Sequence, residues 1–268
     1  MTSFSNALQH YARLFYRYLR LSIVENLQFP LDFLMSFVDL LFQTGELALF
    51  WWSLFKLGII VGKWSGDELL LFLTISIFSD VISRFARGFR DLEFHLLDGS
   101  FDQFLVRPLH PIMGYILSQT NFFGGLLSLI LASSSLIYLL ASGRVVLHHA
   151  LIGFAVMIIG TCAFQLLYGL VSLLAFWFGK IYMAREILFS FADAKKYPLD
   201  VFPKTILGFF TYVVPLSLMI TIPTKILLGT YQNPIRYFIL ALGLFVIFIV
   251  IFKVVLQHAL RRYESTGS

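Results

Sequence analysis

Along the chain, apolar residues come in long continuous runs, and polar residues collect in short stretches between them. Six runs, at about residues 30–55, 68–87, 112–140, 150–178, 205–228 and 235–256, exceed the roughly 18 residues that cross a bilayer as a helix. Continuous hydrophobicity predicts helices, because a barrel strand alternates lipid-facing and lumen-facing side chains. The expected fold is an all-α membrane protein: one domain over 1–268 with six transmembrane helices. Before the first run, residues 7–22 place Tyr11, Leu14, Phe15, Tyr18 and Leu19 on one helical face and Arg13, Arg17 and Arg20 on the other. That pattern predicts an N-terminal amphipathic helix at the headgroup boundary, or a cytosolic helix packed on another subunit. Pro30 suits the first turn of the first span. Pro215 and Pro223 predict a kink or break in the fifth run. Gly124-Gly125 and Ser133-Ser134-Ser135 in the third run, and Gly153, Gly160 and Gly169 in the fourth, predict close helix approach, with Gln165 as a polar contact.

Composition strengthens this picture. Apolar residues make up 59% and charged residues 13%, against about 45–50% and about 25% in soluble domains. The single cysteine, Cys162, excludes an internal disulfide framework. The first thirty residues are too polar and aromatic for a cleavable signal. The net charge of +5 is not read as a nucleic-acid signal, because its distribution is topological. With the N-terminus in the cytoplasm, fifteen of the twenty Lys and Arg residues fall on the inner side and five on the outer. Both termini, and the connection between spans two and three, are then cytoplasmic.

The first span carries Asp32, Asp39, Gln43 and Glu46 within about 60° of arc on one face. Carboxylates in a spanning helix face protein or water, not lipid. Asp39, Gln43 and Glu46 are therefore candidates for the lining of a substrate path, and equally for a helix–helix hydrogen-bond seam. Asp80 and Arg84 are one turn apart and are expected to pair. Gly58-Ile59-Ile60-Val61-Gly62-Lys63 has three residues between its glycines, and Trp64 follows the lysine; a phosphate-binding loop needs four, then Ser or Thr. No nucleotide site is expected in this chain. The six histidines are scattered, and His148-His149 point apart on a helix, so no metal site and no enzyme chemistry are expected.

The region 89–110 is the long polar interruption. Asp98-Gly99-Ser100 reads as a turn or helix entry. Phe101, Phe104 and Leu105 recur at helical spacing, Asp102 and Arg107 supply charge, and Pro108 stops the helix. A short amphipathic helix with aromatic anchors suits a groove in a partner protein; it also suits the lipid headgroup plane. On the docking reading, Asp102→Lys or Phe104→Ala is expected to leave the chain folded but to weaken what the partner drives.

Gly99-Ser100-Phe101-Asp102-Gln103-Phe104-Leu105-Val106-Arg107-Pro108-Leu109 resembles the signature Gly-x-Leu/Phe-Asp-x-x-Leu-x-Arg-Pro-Leu of one branch of the ABC-2 type permeases. Tyr197-Pro198-Leu199-Asp200-Val201-Phe202-Pro203 and Tyr212-Val213-Val214-Pro215 resemble later patterns of the same branch, in the same order. The resemblance implies the permease subunit of an ATP-binding-cassette exporter in the bacterial plasma (inner) membrane. It implies two copies of a separate ATPase subunit that hold ATP and Mg, with no cofactor in this chain. A second permease chain, like or unlike the first, would complete the transporter. The connection with Asp98, Gly99, Phe101, Asp102, Phe104, Leu105, Arg107 and Pro108 would be its coupling helix. The family often has a re-entrant outer hairpin after the fifth span, so 197–228 is either that hairpin, with a shorter span near 182–196, or the full span that the charge count favours. An ion-coupled secondary transporter would need inverted repeats, which the chain lacks, and a non-transporting scaffold is the other alternative.

Overall fold

The computed structural model describes residues 13, 16–21, 23–24, 28, 30–57, 64–106, 111–120 and 122–261. Residues 13 and 16–21 are helical; the rest of the expected interfacial helix, and the loop 58–63, lie outside the described residues. Among the described residues every regular element is a helix. From Pro30 onward they are α1 (Pro30–Lys56), α2 (Gly66–Phe85), α3 (Arg87–Leu97), α4 (Asp102–Leu105), α5 (Pro111–Ser118), α6 (Phe122–Ala141) and α7 (Leu147–Leu173). The second half holds α8 (Ala175–Phe178), α9 (Tyr182–Asp193), α10 (Lys204–Tyr212), α11 (Leu216–Met219), α12 (Thr221–Leu227) and α13 (Pro234–Arg261).

Among the described residues, four helical stretches are long and apolar enough to cross a membrane: Gly66–Leu97, Gly124–Ala141, Leu147–Phe178 and Pro234–Arg261. A fifth counts if α10 and the α11–α12 pair, bent by 74°, make one span. At 27 residues α1 has the length, but Asp39, Gln43 and Glu46 interrupt its hydrophobicity. Helix α2 opens on a capping box, with Ser65 N–H donating to Glu68 at 2.6 Å. It runs into α3 with one residue, Ala86, between them. The 32-residue path is about 48 Å long at 1.5 Å per residue, against a hydrocarbon core of about 30 Å. The excess is α3, whose Arg87, Arg90, Asp91 and Glu93 suit an overhang beyond the apolar layer.

Helix α7 is the hub, packed against α2, α3, α11, α12 and α13. Its glycines make this possible, as their spacing predicts. A methyl group at Gly160 would lie 2.5 Å from the Leu218 carbonyl oxygen, and one at Gly169 would meet Phe89 at 2.6 Å. In the same way Gly125 of α6 admits the Phe85 ring. Thr74 donates to Ser135 at 3.0 Å between α2 and α6.

Two expected spans look different in the structure. The run 112–140 is not one helix: α5 ends at Ser118 and α6 begins at Phe122. The Thr120 hydroxyl lies 3.0 Å from both the Ile116 and the Phe85 carbonyl oxygens, so it satisfies acceptors at the ends of α5 and α2.

The run 205–228 is not one straight helix, because α10 and the α11–α12 pair are bent by 74°. Its course follows from its neighbours. At one end of the bundle, here the Glu93 end, Ile181 donates to Glu93. Helix α9 climbs from there to Lys195, which meets Asp80 halfway along the 66–97 path. The chain reaches the opposite end at Asp200, which accepts from the Trp64 indole. Helix α10 then turns back into the bundle. The chain breaks at Pro215, where Val213 and Val214 both donate to Phe209, and α11 lies against Gly160. Finally α12 returns to the Trp64 end, where Lys225 pairs with Asp200 and Thr221 accepts from the Leu199 N–H. Residues 204–227 therefore enter and leave at the same end, as a re-entrant hairpin does. The charge count favours a full span by reading Lys195 and Lys196 as inner-loop charges; in the structure Lys195 is paired with Asp80 midway along the 66–97 path, and Lys196 forms an exposed pair with Asp193.

Candidate functional site

Three places bring functional side chains together. The first is the turn between α3 and α5. Asp98 accepts from the Ser100 hydroxyl at 2.6 Å and from its N–H at 2.9 Å, and these bonds hold its carboxyl below the ordinary value. Gly99 has φ 76°, a left-handed conformation that ends α3. Phe101 and Phe104, expected as partner-facing anchors, are 0% and 3% exposed. They point inward, against Leu92, Leu96, Ile112 and Tyr115, and the Tyr115 hydroxyl is 2.9 Å from His95 Nδ1. Their burial ties the turn to α5, and the expectation that Phe104→Ala spares the fold is corrected accordingly. The outer side presents Leu105 and Val106, 38% and 85% exposed, with Gln103 exposed and Asp102 half-buried. Arg107 and Pro108 lie outside the described residues.

The second place was missed by sequence reasoning. Glu93 of α3 accepts from the Ile181 N–H at 2.9 Å, and its other oxygen faces Arg185 at 3.6 Å. Both side chains are buried, and the Arg185 guanidinium lies 4.1 Å from the centre of the Phe94 ring. This joint fixes the start of α9 to the overhang that carries the turn. One signal existed: Glu93 lies on the apolar side of α3 with Phe89 and Leu96, where a carboxylate needs a reason.

The third place is a pair of adjoining half-open cavities, of about 460 and 550 Å³, between α1, α2 and the segment 189–197. Asp39 and Gln43 line the first; Gln43 and Glu46 line the second. The face of α1 that carries the three candidate lining residues therefore looks onto this space. Gln43 donates to Asp39 at 2.8 Å. The shared wall holds Asp80, Arg84, Asp193 and Lys195. Asp80 was expected to pair with Arg84; it bonds Lys195 instead, at 2.5 Å. Arg87, Arg90, Gln165 and Lys195 also line the first cavity and were not foreseen there.

The family model described as ABC-2 family transporter protein matches residues 40–267, which include the first two places and, apart from Asp39, the cavity lining named here. No curated protein and no solved structure matches the chain.

Proposed function

The chain belongs to the ABC-2 transporter family, and from that premise we propose that it is the permease subunit of an ATP-driven exporter in the bacterial inner membrane. It works with two copies of an ATP-binding subunit, which hold ATP and Mg, and with a second permease chain. Six segments cross the bilayer: α1, the 66–97 path, α5 with α6, α7 with α8, 182–200, and α13. Both termini are cytoplasmic, and the 204–227 hairpin enters from the outer side. Family membership carries the reading; the charged space in mid-bundle supports it, because charged side chains inside a membrane bundle belong to a path or its gate.

The cargo path runs past Asp39, Gln43 and Glu46. Coupling runs through the 98–106 turn, with Leu105 and Val106 as the contact that enters the ATPase. Closure of the ATPase pair on ATP displaces the turn and with it α3. The Glu93 joint passes that displacement to α9, which forms one wall of the cavities. Co-expression with a candidate ATP-binding subunit of the same source tests the reading: co-purification and ATP-dependent efflux from proteoliposomes are expected. A chain that purifies alone and moves solutes down a proton gradient overturns it.

A further inference from the structure

The charges around the two cavities are not all paired. Lys195 holds Asp80 at 2.5 Å, and Lys196 holds Asp193 at 2.9 Å. Arg87 and Arg90 share one carboxylate, Asp91, at 2.8 and 3.1 Å. Arg84 lines both cavities, yet no carboxylate lies within ion-pair distance of it among the described residues. Its Nε is buried and has no hydrogen-bond partner. A buried N–H of a cation is costly to leave unmade.

Two further features define what would satisfy it. Arg84, Arg87 and Arg90 recur every third residue along α2 and α3, so a cationic track leads from the overhang at the Glu93 end into the cavity. The wall beyond them is apolar and aromatic: Phe164, Tyr168, Phe189 and Met219. A guanidinium presents a planar fork of donors that matches an oxyanion in two bonds. The far wall, on α1, carries Asp39 and Glu46; these repel a polyanion and leave room for one oxyanion, alone or beside a cationic group.

We propose that Arg84 is the centre of an oxyanion-binding site that takes the phosphate of a headgroup, with the apolar part of the ligand on the Phe164–Tyr168 wall. As the cargo site of this transporter it rests on the permease reading; as a binding site it does not, and it is tested without the ATPase. The full chain in detergent is incubated with phosphatidylglycerol, phosphatidylethanolamine or diacylglycerol, and retained lipid is counted by native mass spectrometry, with inorganic phosphate as competitor. Both phospholipids are expected to be retained at a defined stoichiometry and diacylglycerol is not. Arg84→Gln should weaken retention about tenfold and Arg84→Lys less, because the charge stays and the fork is lost. Arg144→Gln, at an exposed pair with Asp67 far from the cavities, should change nothing. Displacement by inorganic phosphate assigns the oxyanion to a soluble source; resistance to it assigns the oxyanion to lipid. Retention by a folded Arg84→Gln chain equal to the parent's, or retention of diacylglycerol as strong as that of the phospholipids, overturns the proposal. Failure of ATP-driven efflux with lipid binding intact refutes the permease reading alone.

Discussion

Asp200 and Lys225 close the mouth of the 204–227 hairpin as an ion pair, and Trp64 donates its indole N–H to the second carboxylate oxygen at 3.0 Å. Both charged side chains are about one-fifth exposed. Asp200→Asn keeps the shape and an acceptor for Trp64 but leaves the ammonium without its counter-charge. A loss of about 1–2 kcal/mol is expected, below the fully buried case because the pair is partly solvated. A double-mutant cycle with Lys225→Met, read by thermal melting in detergent, should show the two changes to be strongly non-additive. Simple additivity would mean that the pair does not hold the hairpin.

Gly160 lets the hairpin apex touch α7. Alanine there would place a methyl group 2.5 Å from the Leu218 carbonyl oxygen and 2.6 Å from its carbon, both backbone atoms. The helix and the hairpin must separate, at a cost of about 1–3 kcal/mol. Gly208→Ala meets nothing within 4 Å and should leave the melting temperature unchanged or higher. Equal melting curves for the two variants would contradict the packing described.

On the proposed coupling route, Glu93→Gln should uncouple efflux from ATP hydrolysis. The amide still accepts from Ile181, but Arg185 loses the only carboxylate that faces it among the described residues. Breaking a buried pair costs about 3–5 kcal/mol, moderated here by the Phe94 ring. The expected phenotype is continued ATP hydrolysis by the partner with reduced efflux, and partial rescue by adding Arg185→Met. Efflux and hydrolysis that fall in strict proportion would argue against transmission through this joint.

The turn divides into an inner and an outer half with opposite expectations. Phe104→Ala empties a buried site and should destabilise the chain by about 3–5 kcal/mol. Val106→Asp, on the exposed side, should melt like the parent yet lose the ATP-binding subunit on a size-exclusion column. Retention of that subunit by Val106→Asp would remove this surface from the interface.

Acid should loosen the same turn. The Asp98 carboxyl is held below its ordinary value of 3.8 by the Ser100 hydroxyl and N–H. A depressed folded value contributes stability that is complete above 3.8 and is lost as pH falls through the lower folded value. Exchange of the Ser100 amide, corrected for intrinsic rate, should therefore be flat across neutral pH and rise only in strong acid. Asp98→Asn should weaken the protection at neutral pH and remove its acid dependence.

Much of this was legible in the residues. Continuous apolar runs announced the long helices, and Gly153, Gly160 and Gly169 marked the close face of α7. The 100° step alone put Asp39, Gln43 and Glu46 on one side of α1. What stayed hidden depends on partners far along the chain. Asp80 chose Lys195, 115 residues away, over Arg84, four residues away. Phe101 and Phe104 lie at the spacing of an exposed anchor pair; that they face inward depends on Ile112 and Tyr115, across a gap that periodicity does not bridge. Lys195 and Lys196 look like loop charges until their carboxylates are in place.

The hairpin also bears on how the protein is made. At nine residues, α10 is about 13 Å long, less than half of the roughly 30 Å hydrocarbon layer, and α11 and α12 are shorter still. None of them is the length of segment that partitions into lipid unaided. The backbone around Pro215 would reach hydrocarbon with polar groups unmet unless protein already surrounded it. In the proposed topology, insertion of 204–227 is a folding step onto a preassembled α7. Its quality can be judged by the cell only after most of the chain has left the ribosome.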